Sequence, residues 1–401
     1  MHSRAITLML ALLFALPTLA QQQPSVSRDI DPAIARVIAA TPAIDNHAHP
    51  MLPPPNDATD RNFDALPVDN MAPQTDPVAW RPDWPEQHDA WLALFGVNLH
   101  APLTPEAQKQ LEAARARVKA REGAHYSQYI LDKSNIGIML ANRVTMGTGI
   151  QRPRFRWVPY DDALLFPFDT SALPDTPDRA QFFPLEQTVF AGYMKTVGLT
   201  KPPPTLTDYI FLVVLPTLLQ QRTGGAIAIK FELAYLRPLD IGKPTREQAS
   251  AIYAKGIAGV NPLNLEPLFN DPALKDTNFV MLHGGWPFVH EAGSLLQKPN
   301  VYLDISQQAL SIPARTLSTW LREWLELYPE KVLFATDGYP FSSSLGWEES
   351  TWLAARNARE ALGLALTGME RDGEISPTRA AELAHMVLHD NAAALYRLSN
   401  P

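Results

Sequence analysis

The chain of 401 residues carries 42 acidic and 34 basic side chains, which gives a formal net charge of −8. Its hydrophobic content of 46% and charged content of 19% are those of a globular protein and exclude a disordered one. Since no block of basic residues stands out, nucleic acid is not expected as a partner. The length fits one large α/β domain with insertions, or two ordinary domains.

The first twenty residues have the pattern of a secretory signal peptide. A cation at Arg4 precedes an apolar run over residues 5–16, and small residues up to Ala20 offer a cleavage site. The run is too short to span a bilayer comfortably, although an uncleaved N-terminal anchor is the alternative. We expect residues 1–20 to be removed, which leaves a periplasmic or secreted protein without a stable membrane span. The chain has no cysteine, so it forms no disulfides there.

A helical pattern over residues 28–41 leads into the first predicted strand, which reads AIDNHAHP from Ala43 to Pro50. Residues 51–103 follow, rich in proline, aspartate and tryptophan and with little periodicity. We interpret them as an insertion after the first strand, within a single domain that covers residues 28–398.

From residue 104 onward, helix-like and strand-like segments alternate for most of the chain. The predicted strands are short, apolar and nearly continuous in hydrophobicity, as parallel strands buried on both faces are. They cover residues 137–144, 155–160, 226–232, 278–284, 300–306 and 331–337. The predicted helices cover residues 104–123, 206–221, 245–257, 287–296, 314–327, 349–362 and 376–388. This alternation predicts an α/β fold with right-handed crossovers.

Two histidines end the first predicted strand. Residues i and i+2 of a strand point to the same side, so His47 and His49 project together from its carboxyl end. Active sites form at that end in barrels and in open α/β sheets. Two imidazoles on one side suit Zn²⁺ or a similar divalent ion. The alternative is a pair of structural histidines in a loop.

Two further strands end in side chains of the same kind. His283 closes NFVMLHG and Asp337 closes KVLFATD. Imidazoles and one carboxylate can hold a metal, keep a position open for water and lower the pKa of that water. Asp337 could bind the metal, act as the base on the water, or do both. A lone residue of either type at a strand end is also a common capping or hydrogen-bonding group.

Two basic residues are additional candidates. Lys230 lies in the apolar run AIAIKFE, where it could be carbamylated and bridge two metals, or could pair with Glu232 or anchor a substrate carboxylate. We favour the second reading because a second metal lacks a clear ligand set. Arg237 could clamp an anion with its planar donors. Asp304 could orient a ligand histidine or cap the next helix.

These pieces together resemble the amidohydrolase superfamily, in its amidohydrolase-related (type 2) branch of metal-dependent hydrolases. The resembling stretches run in the family's order from about residue 30 to 398: IDNHAHP, GIMLANRV, IKFELAYLRPL, VMLHGGWPF, NVYLDIS, VLFATDGYPF and LHDNAAALYRL. The resemblance implies a distorted TIM-like (β/α)8 barrel with one or two divalent metals. By position, His47, His49, His283 and Asp337 match ligand or catalytic positions, and Lys230 matches the strand-four lysine of two-metal members.

The sequence departs from the family pattern at the fifth strand. Between Lys230 and His283 there is no histidine and no recognisable strand, so only seven strands are predicted where a closed barrel needs eight. We therefore expect either a barrel that lacks its fifth βα unit, or one in which another segment, such as residues 256–260, fills the place. It would hold one zinc ion on His47, His49 and Asp337, with His283 as a ligand or an acid/base. No second metal is expected.

The resemblance implies a metal-dependent hydrolase, in which a metal-activated water attacks an amide- or ester-like bond of a small molecule, and the signal-peptide pattern adds that it is exported. Asp337 and His283 are the catalytic candidates. The alternatives are a degenerate, non-catalytic barrel that binds a ligand or partner, and a metal-dependent decarboxylase.

The signal peptide is directly testable. Expression of the full chain in a bacterium should yield a mature protein whose N-terminus is Gln21, because the apolar run is removed after Ala20. N-terminal sequencing and intact mass of the periplasmic fraction would check this. The control is Leu12→Arg, which interrupts the apolar run and should keep the chain in the cell. A purified protein that retains Met1 would contradict the prediction.

Overall fold

The structure, a computed structural model, describes residues 29–56, 59–66, 84–166, 179–236, 245–255 and 269–398. The expected signal peptide, Arg237 and residues 256–260, the candidate for the fifth-strand place, lie outside the described residues. So do parts of the predicted insertion, residues 57–58 and 67–83.

Six parallel strands form two three-stranded sheets. In the first sheet, β1 (Ala43–Ala48) pairs with β2 (Ile136–Asn142), which pairs with β3 (Phe155–Val158). In the second, β4 (Phe279–Met281) pairs with β5 (Val301–Asp304), which pairs with β6 (Val332–Leu333). Every strand pair is parallel, and helices connect successive strands except β2 and β3, which a loop joins. The α/β class predicted from the sequence is confirmed.

Backbone hydrogen bonds join the two sheets beyond the regular strands. After β6 the chain runs on beside β1, where Asn46 N donates to Phe334 O (3.0 Å), Asp337 N to His47 O (2.8 Å) and His49 N to Gly338 O (2.9 Å). This extension, residues 334–338, makes β1 an interior segment. β1 is therefore buried along its whole length.

A second extension lies on the other side of β3. Ile227 N donates to Trp157 O (3.0 Å), and Lys230 N donates to Pro159 O (2.8 Å). The predicted strand 226–232 is thus present as isolated parallel bridges and not as a regular strand. The spatial order is 226–230, β3, β2, β1, β6, β5 and β4.

The two ends of this row are less buried than its middle. Ile229 and Phe231 are 46% and 45% exposed, and all three residues of β4 are partly exposed. Between Lys230 and Phe279, the part of the chain that the structure describes contains no strand. No described strand therefore fills the place of the fifth unit in this row, and the sequence shows no fifth unit either.

The helices lie mostly where the hydrophobic periodicity predicts them. Their bounds are Pro32–Ala40, Pro85–Phe95, Pro105–Glu122, Tyr126–Lys133, Arg179–Thr196, Leu206–Tyr209, Leu215–Thr223, Leu233–Leu236, Arg246–Lys255, Val289–Leu295, Gln308–Ser311, Ala314–Leu327, Trp347–Arg371, Pro377–His385 and Asn391–Tyr396. Short π-helical turns at Ile210–Val214 and Met386–Asp390 join neighbouring pairs. Short 3-10 turns also occur, among them Asp162–Leu165 and Leu282–Gly285.

Six of these helices were not predicted from the sequence: three short ones, Leu233–Leu236, Gln308–Ser311 and Asn391–Tyr396, and three longer ones. Pro85–Phe95 lies inside the segment interpreted as an irregular insertion, and Tyr126–Lys133 follows the first long helix. Arg179–Thr196 carries Pro184 in its interior, a residue that usually ends a helix, and its apolar residues do not gather on one face.

The helix Ala314–Leu327 packs against the turn next to His283, one of the predicted site residues. Its buried face presents Leu317, Leu321 and Trp324, spaced three or four residues apart. The Trp324 indole lies so close to Gly284 that a Cβ there would come within 2.8 Å of it. The turn that carries His283 therefore rests directly on this helix.

A glycine at the junction of the two sheets gives a stability prediction. A Cβ on Gly338 would stand 1.9 Å from Thr351 Oγ1, which has no hydrogen-bond partner among the described residues. Gly338→Ala should lower the free energy of unfolding by about 2 kcal/mol, the typical cost of overpacking. Adding Thr351→Ala should recover part of that loss, as measured by urea unfolding.

The matched control is Gly192→Ala. Gly192 lies inside a helix, and a Cβ there would meet nothing within 4 Å. This change should be neutral or slightly stabilising because alanine has the higher helix propensity. Equal losses at positions 338 and 192 would contradict the steric argument.

Candidate metal centre

Three potential ligands meet at the carboxyl ends of neighbouring strands. His47 and His49 come from the end of β1, and Asp337 comes from the extension after β6. The Nε2 atoms of the two histidines are 3.3 Å apart, and Asp337 Oδ1 lies 3.0 Å from His47 Nε2 and 3.3 Å from His49 Nε2. All three residues are buried, and one ligand atom from each lies within 4.8 Å of the others. We call these three residues the His-His-Asp centre.

The protonation states at this centre suit a divalent cation. Burial, with a contribution from Lys230, lowers the pKa of His47 well below its usual value, so this imidazole is neutral. Burial alone would raise the pKa of Asp337, but hydrogen bonds with His47 and His49 outweigh it and hold that pKa well below its usual value. Neutral imidazole and ionised carboxylate are the forms that bind metal. The donor set therefore fits a zinc-like ion.

Two side chains that sequence reasoning missed hold the His49 ring. Tyr160 Oη lies 2.9 Å from His49 Nδ1, and Asp64 Oδ2 lies 3.3 Å from the same atom. These contacts occupy Nδ1 and leave Nε2 facing His47 and Asp337. Partners of this kind fix the ring orientation of metal-binding histidines. Asp64 lies in the predicted insertion, where no periodic pattern marks it.

A buried carboxyl group ties β1 to its neighbour. Asp45 accepts hydrogen bonds from Thr336 N (2.9 Å) and Thr336 Oγ1 (2.6 Å), and from His47 N (3.3 Å). Burial raises the pKa of Asp45 to about 7. This contact fixes residues 336 and 337 relative to the end of β1, and so sets the distance between Asp337 and the two histidines.

His283 lies beside the centre without belonging to the group of three. Its ring packs edge-on against His47 with 5.5 Å between the centroids. Its Nδ1 lies 2.9 Å from Ser306 Oγ, and its backbone N donates to Asp304 Oδ1 (3.0 Å). Asp304 thus positions His283 through the backbone and Ser306, and it does not contact the ring. Nε2 of His283 has no hydrogen-bond partner among the described residues.

Two of the site residues have an unusual backbone conformation. His283 has φ 58° and Asp337 has φ 56°, in the left-handed region that side chains other than glycine rarely adopt. Each such residue costs of the order of 1 kcal/mol, and residues of this kind concentrate at functional sites.

Lys230 contacts Glu232 and also lies beside both histidines of the His-His-Asp centre. Its Nζ lies 3.0 Å from Glu232 Oε1, so the pairing with Glu232 considered from the sequence is formed. The same atom lies 3.3 Å from His47 Nε2 and 3.4 Å from His49 Nε2. Burial alone would lower the pKa of Lys230, but Glu232 and nearby carboxylates outweigh it and raise that pKa. Lys230 is therefore a buried ammonium beside the histidines.

Comparisons with known proteins agree with this architecture. The Amidohydrolase family model matches residues 259–398. Protein fluG of Emericella nidulans is 33% identical over 141 residues, which are 35% of this chain and 15% of that protein. The chain thus spans a small part of this relative's length.

Solved structures share the fold over nearly the whole chain. Glucuronate isomerase from Caulobacter crescentus has a TM-score of 0.58 at 12% identity and covers 94% of this chain and 98% of its own. A protein from Lactobacillus casei ATCC 334 described as a metal-dependent hydrolase has a TM-score of 0.51 at 16% identity, over 91% and 97%. These identities show likeness of fold alone. The resemblance to amidohydrolases is thus supported by the family match over residues 259–398, and the solved structures add likeness of fold.

Metal content tests the centre. The wild-type protein, purified and exposed to zinc, should retain about one ion per chain, because three buried ligands converge. His47→Ala or Asp337→Ala should retain far less, as measured by elemental analysis after gel filtration. The control is His290→Ala, an exposed histidine paired with Glu323, which should bind zinc as the wild type does. Full metal content in either site variant would reject the assignment.

Proposed function

We propose that the protein is an exported, metal-dependent hydrolase that acts on an amide- or ester-like bond of a small molecule. The observation that carries this proposal is the buried convergence of His47, His49 and Asp337 within 4.8 Å. The family match over residues 259–398 supports the same class of enzyme. The donor set favours zinc, and one ion is expected.

The three residues of the centre would hold that ion. When bound, zinc supplies Lewis acidity and lowers the pKa of water beside it. Asp337 contacts the two imidazoles through Oδ1, so its Oδ2 is available to accept a proton from the attacking water. Because the pKa of Asp337 is held low, this carboxylate is ionised and able to act.

His283 would act on the other side of the scissile bond. Ser306 Oγ donates to Asp304 and so accepts from Nδ1–H of His283, which means that the imidazolium form of His283 would donate a proton from Nε2 to the leaving group or to the developing oxyanion. The backbone bond to Asp304 and the packing of Gly284 against Trp324 hold this ring in place. A fixed donor of this kind needs no reorganisation during the reaction.

Several features support a barrel without its fifth unit. Seven segments lie in one row, from residues 226–230 to β4, in the spatial order that a closed barrel would have. No strand occurs between Lys230 and Phe279 among the described residues. We propose that residues 28–398 form this incomplete barrel, with residues 51–103 as an insertion after β1.

A second metal is not part of the proposal. Lys230 is engaged by Glu232, and a group of three convergent ligands is found at one place only in the described part of the chain. Export is supported by the signal-peptide pattern of residues 1–20. In the described residues, no helix is long and apolar enough to cross a membrane.

Other reactions on the same fold remain to be separated by assay. Two structural neighbours are described as glucuronate and uronate isomerases, and they share only the fold with this chain. A decarboxylase would use the same centre, and a non-catalytic binder would bind zinc without turnover. The assay panel therefore includes isomerisation of a uronic acid and release of CO₂ from aromatic acids.

Hydrolysis by defined variants tests the proposal. Zinc-loaded protein should hydrolyse members of a panel of small anilides, esters and lactones. His47→Ala and Asp337→Ala should lower kcat/KM by at least about 100-fold, the scale expected when a group that stabilises the transition state is lost. Lys230→Ala should lose less, because no lysine-bridged metal pair is expected.

The control for this series is again His290→Ala, which should retain wild-type turnover. Near-ultraviolet circular dichroism would show that the variants remain folded. Turnover of the uronic acid alone, or full hydrolysis by Asp337→Ala, would refute the hydrolase proposal.

A further inference from the structure

Four buried carboxyl groups lie on the Lys230 side of the centre. They belong to Asp64, Asp162, Glu186 and Glu232, and none is more than 7% exposed. Among the described residues, the one lysine or arginine paired with any of them is Lys230, through Glu232. We call these four residues the acidic cluster. If all four were ionised, one ammonium group could not balance them, so the cluster lacks positive charge.

The carboxyl oxygens of the cluster also lack hydrogen-bond donors. Both oxygens of Glu186, Oδ2 of Asp162 and Oε2 of Glu232 have no partner among the described residues. Most buried polar atoms in folded proteins are hydrogen-bonded, and a buried unpaired acceptor costs about 1–3 kcal/mol. Four such oxygens in one region therefore indicate an acceptor surface for a donor that the described residues do not supply.

Glu186 is directed at the cluster by its helix. The helix Arg179–Thr196 packs against the 3-10 turn Asp162–Leu165 and against Leu233–Leu236, which immediately follows Glu232. Burial, together with Asp162, Glu232 and Asp64, raises the pKa of Glu186 to about 9. The apolar residues Phe166, Phe183 and Leu236 pack nearby and exclude water, which strengthens this electrostatic coupling.

The cluster is continuous with the His-His-Asp centre. Asp64 contacts His49 Nδ1, and Lys230 connects Glu232 to both histidines. A molecule whose scissile bond lies at the centre could therefore reach the cluster with a short side arm.

We propose that the acidic cluster binds a protonated amine or guanidinium group of the substrate, so that the protein selects cationic substrates. This inference rests on the proposed function for the position of the scissile bond. The free oxygens of Glu186, Asp162 and Glu232 would accept the donor groups of the cation.

The geometry favours an organic cation over a second metal. A metal ion needs three ligand atoms that converge, and in the described part of the chain such a group occurs only at His47, His49 and Asp337. A guanidinium spreads five N–H donors over a plane, and an ammonium on a flexible arm can contact two oxygens at once. Neither needs the acidic oxygens to meet at one point.

Matched substrates test the selection. The zinc-loaded enzyme would be assayed with the anilides of 6-aminohexanoic, 6-guanidinohexanoic and hexanoic acids, and with adipic acid monoanilide. We expect kcat/KM for a cationic anilide to exceed that for hexanoic anilide by at least about tenfold, and the anionic anilide to be poorest. Glu186→Gln, which keeps the shape and removes the group that would ionise beside a bound cation, should lower the cationic preference about tenfold and leave hexanoic anilide within about twofold.

Two further variants keep this test sound. If Glu186→Gln folds poorly, Asp162→Asn takes its place in the test. Asp162→Asn retains an oxygen that accepts the hydrogen bond from Glu232 N, and it should reduce the same preference. Glu330→Gln is the matched control, because it removes an exposed carboxylate that is not part of the cluster. Equal loss on charged and neutral anilides, or no preference in the wild type, would overturn the proposal.

A binding measurement separates this inference from the proposed function. n-Butylguanidinium should raise the melting temperature of the wild type and of Glu330→Gln, and n-butanol should not. Glu186→Gln should lose most of that shift. Binding without hydrolysis of any anilide would leave the cation site standing and reject the hydrolase. Hydrolysis of hexanoic anilide without binding of n-butylguanidinium would support the hydrolase and reject the cation site. Loss of a second zinc ion in Glu186→Gln would also overturn the cation site.

Discussion

The parallel pairing of β1 with residues 334–338 is the constraint on which the rest of the site depends. It brings two histidines near the start of the chain beside an aspartate near its end, through backbone bonds at Asn46, His47 and His49. The buried contact between Asp45 and Thr336 fixes the register of that pairing. A slip of one residue would turn the ligands to opposite faces. The chemistry therefore rests on backbone geometry before it rests on any side chain.

Sequence reasoning succeeded where the signal is local. The apolar runs that end in His49, His283 and Asp337 are recognisable because buried parallel strands are nearly continuous in hydrophobicity. The side-by-side projection of His47 and His49 follows from the two-residue period of a strand. The place of Asp337 among them follows from the rule that parallel strands present their carboxyl ends at one edge. None of these steps needs knowledge of distant contacts.

The remaining site residues carry no such local mark. Asp64, Tyr160 and Ser306 act through partners far away in the chain, and their own surroundings in sequence are ordinary. Glu186 was missed because its helix contains Pro184 and has no clear apolar face. The strand at 226–232 was predicted from composition. Its irregular pairing could not be predicted, because it depends on this segment having β3 as a neighbour on one side only. Long-range packing thus decides what local pattern cannot.

The left-handed backbone at His283 and Asp337 has an evolutionary consequence. Glycine would relieve this strain at either position without altering the course of the chain. A lineage that kept only the architecture would be free to drift towards glycine, because mutation favours the relaxed state once selection on chemistry ends. The residues that related chains carry at positions 283 and 337 would therefore separate selection on chemistry from selection on architecture alone.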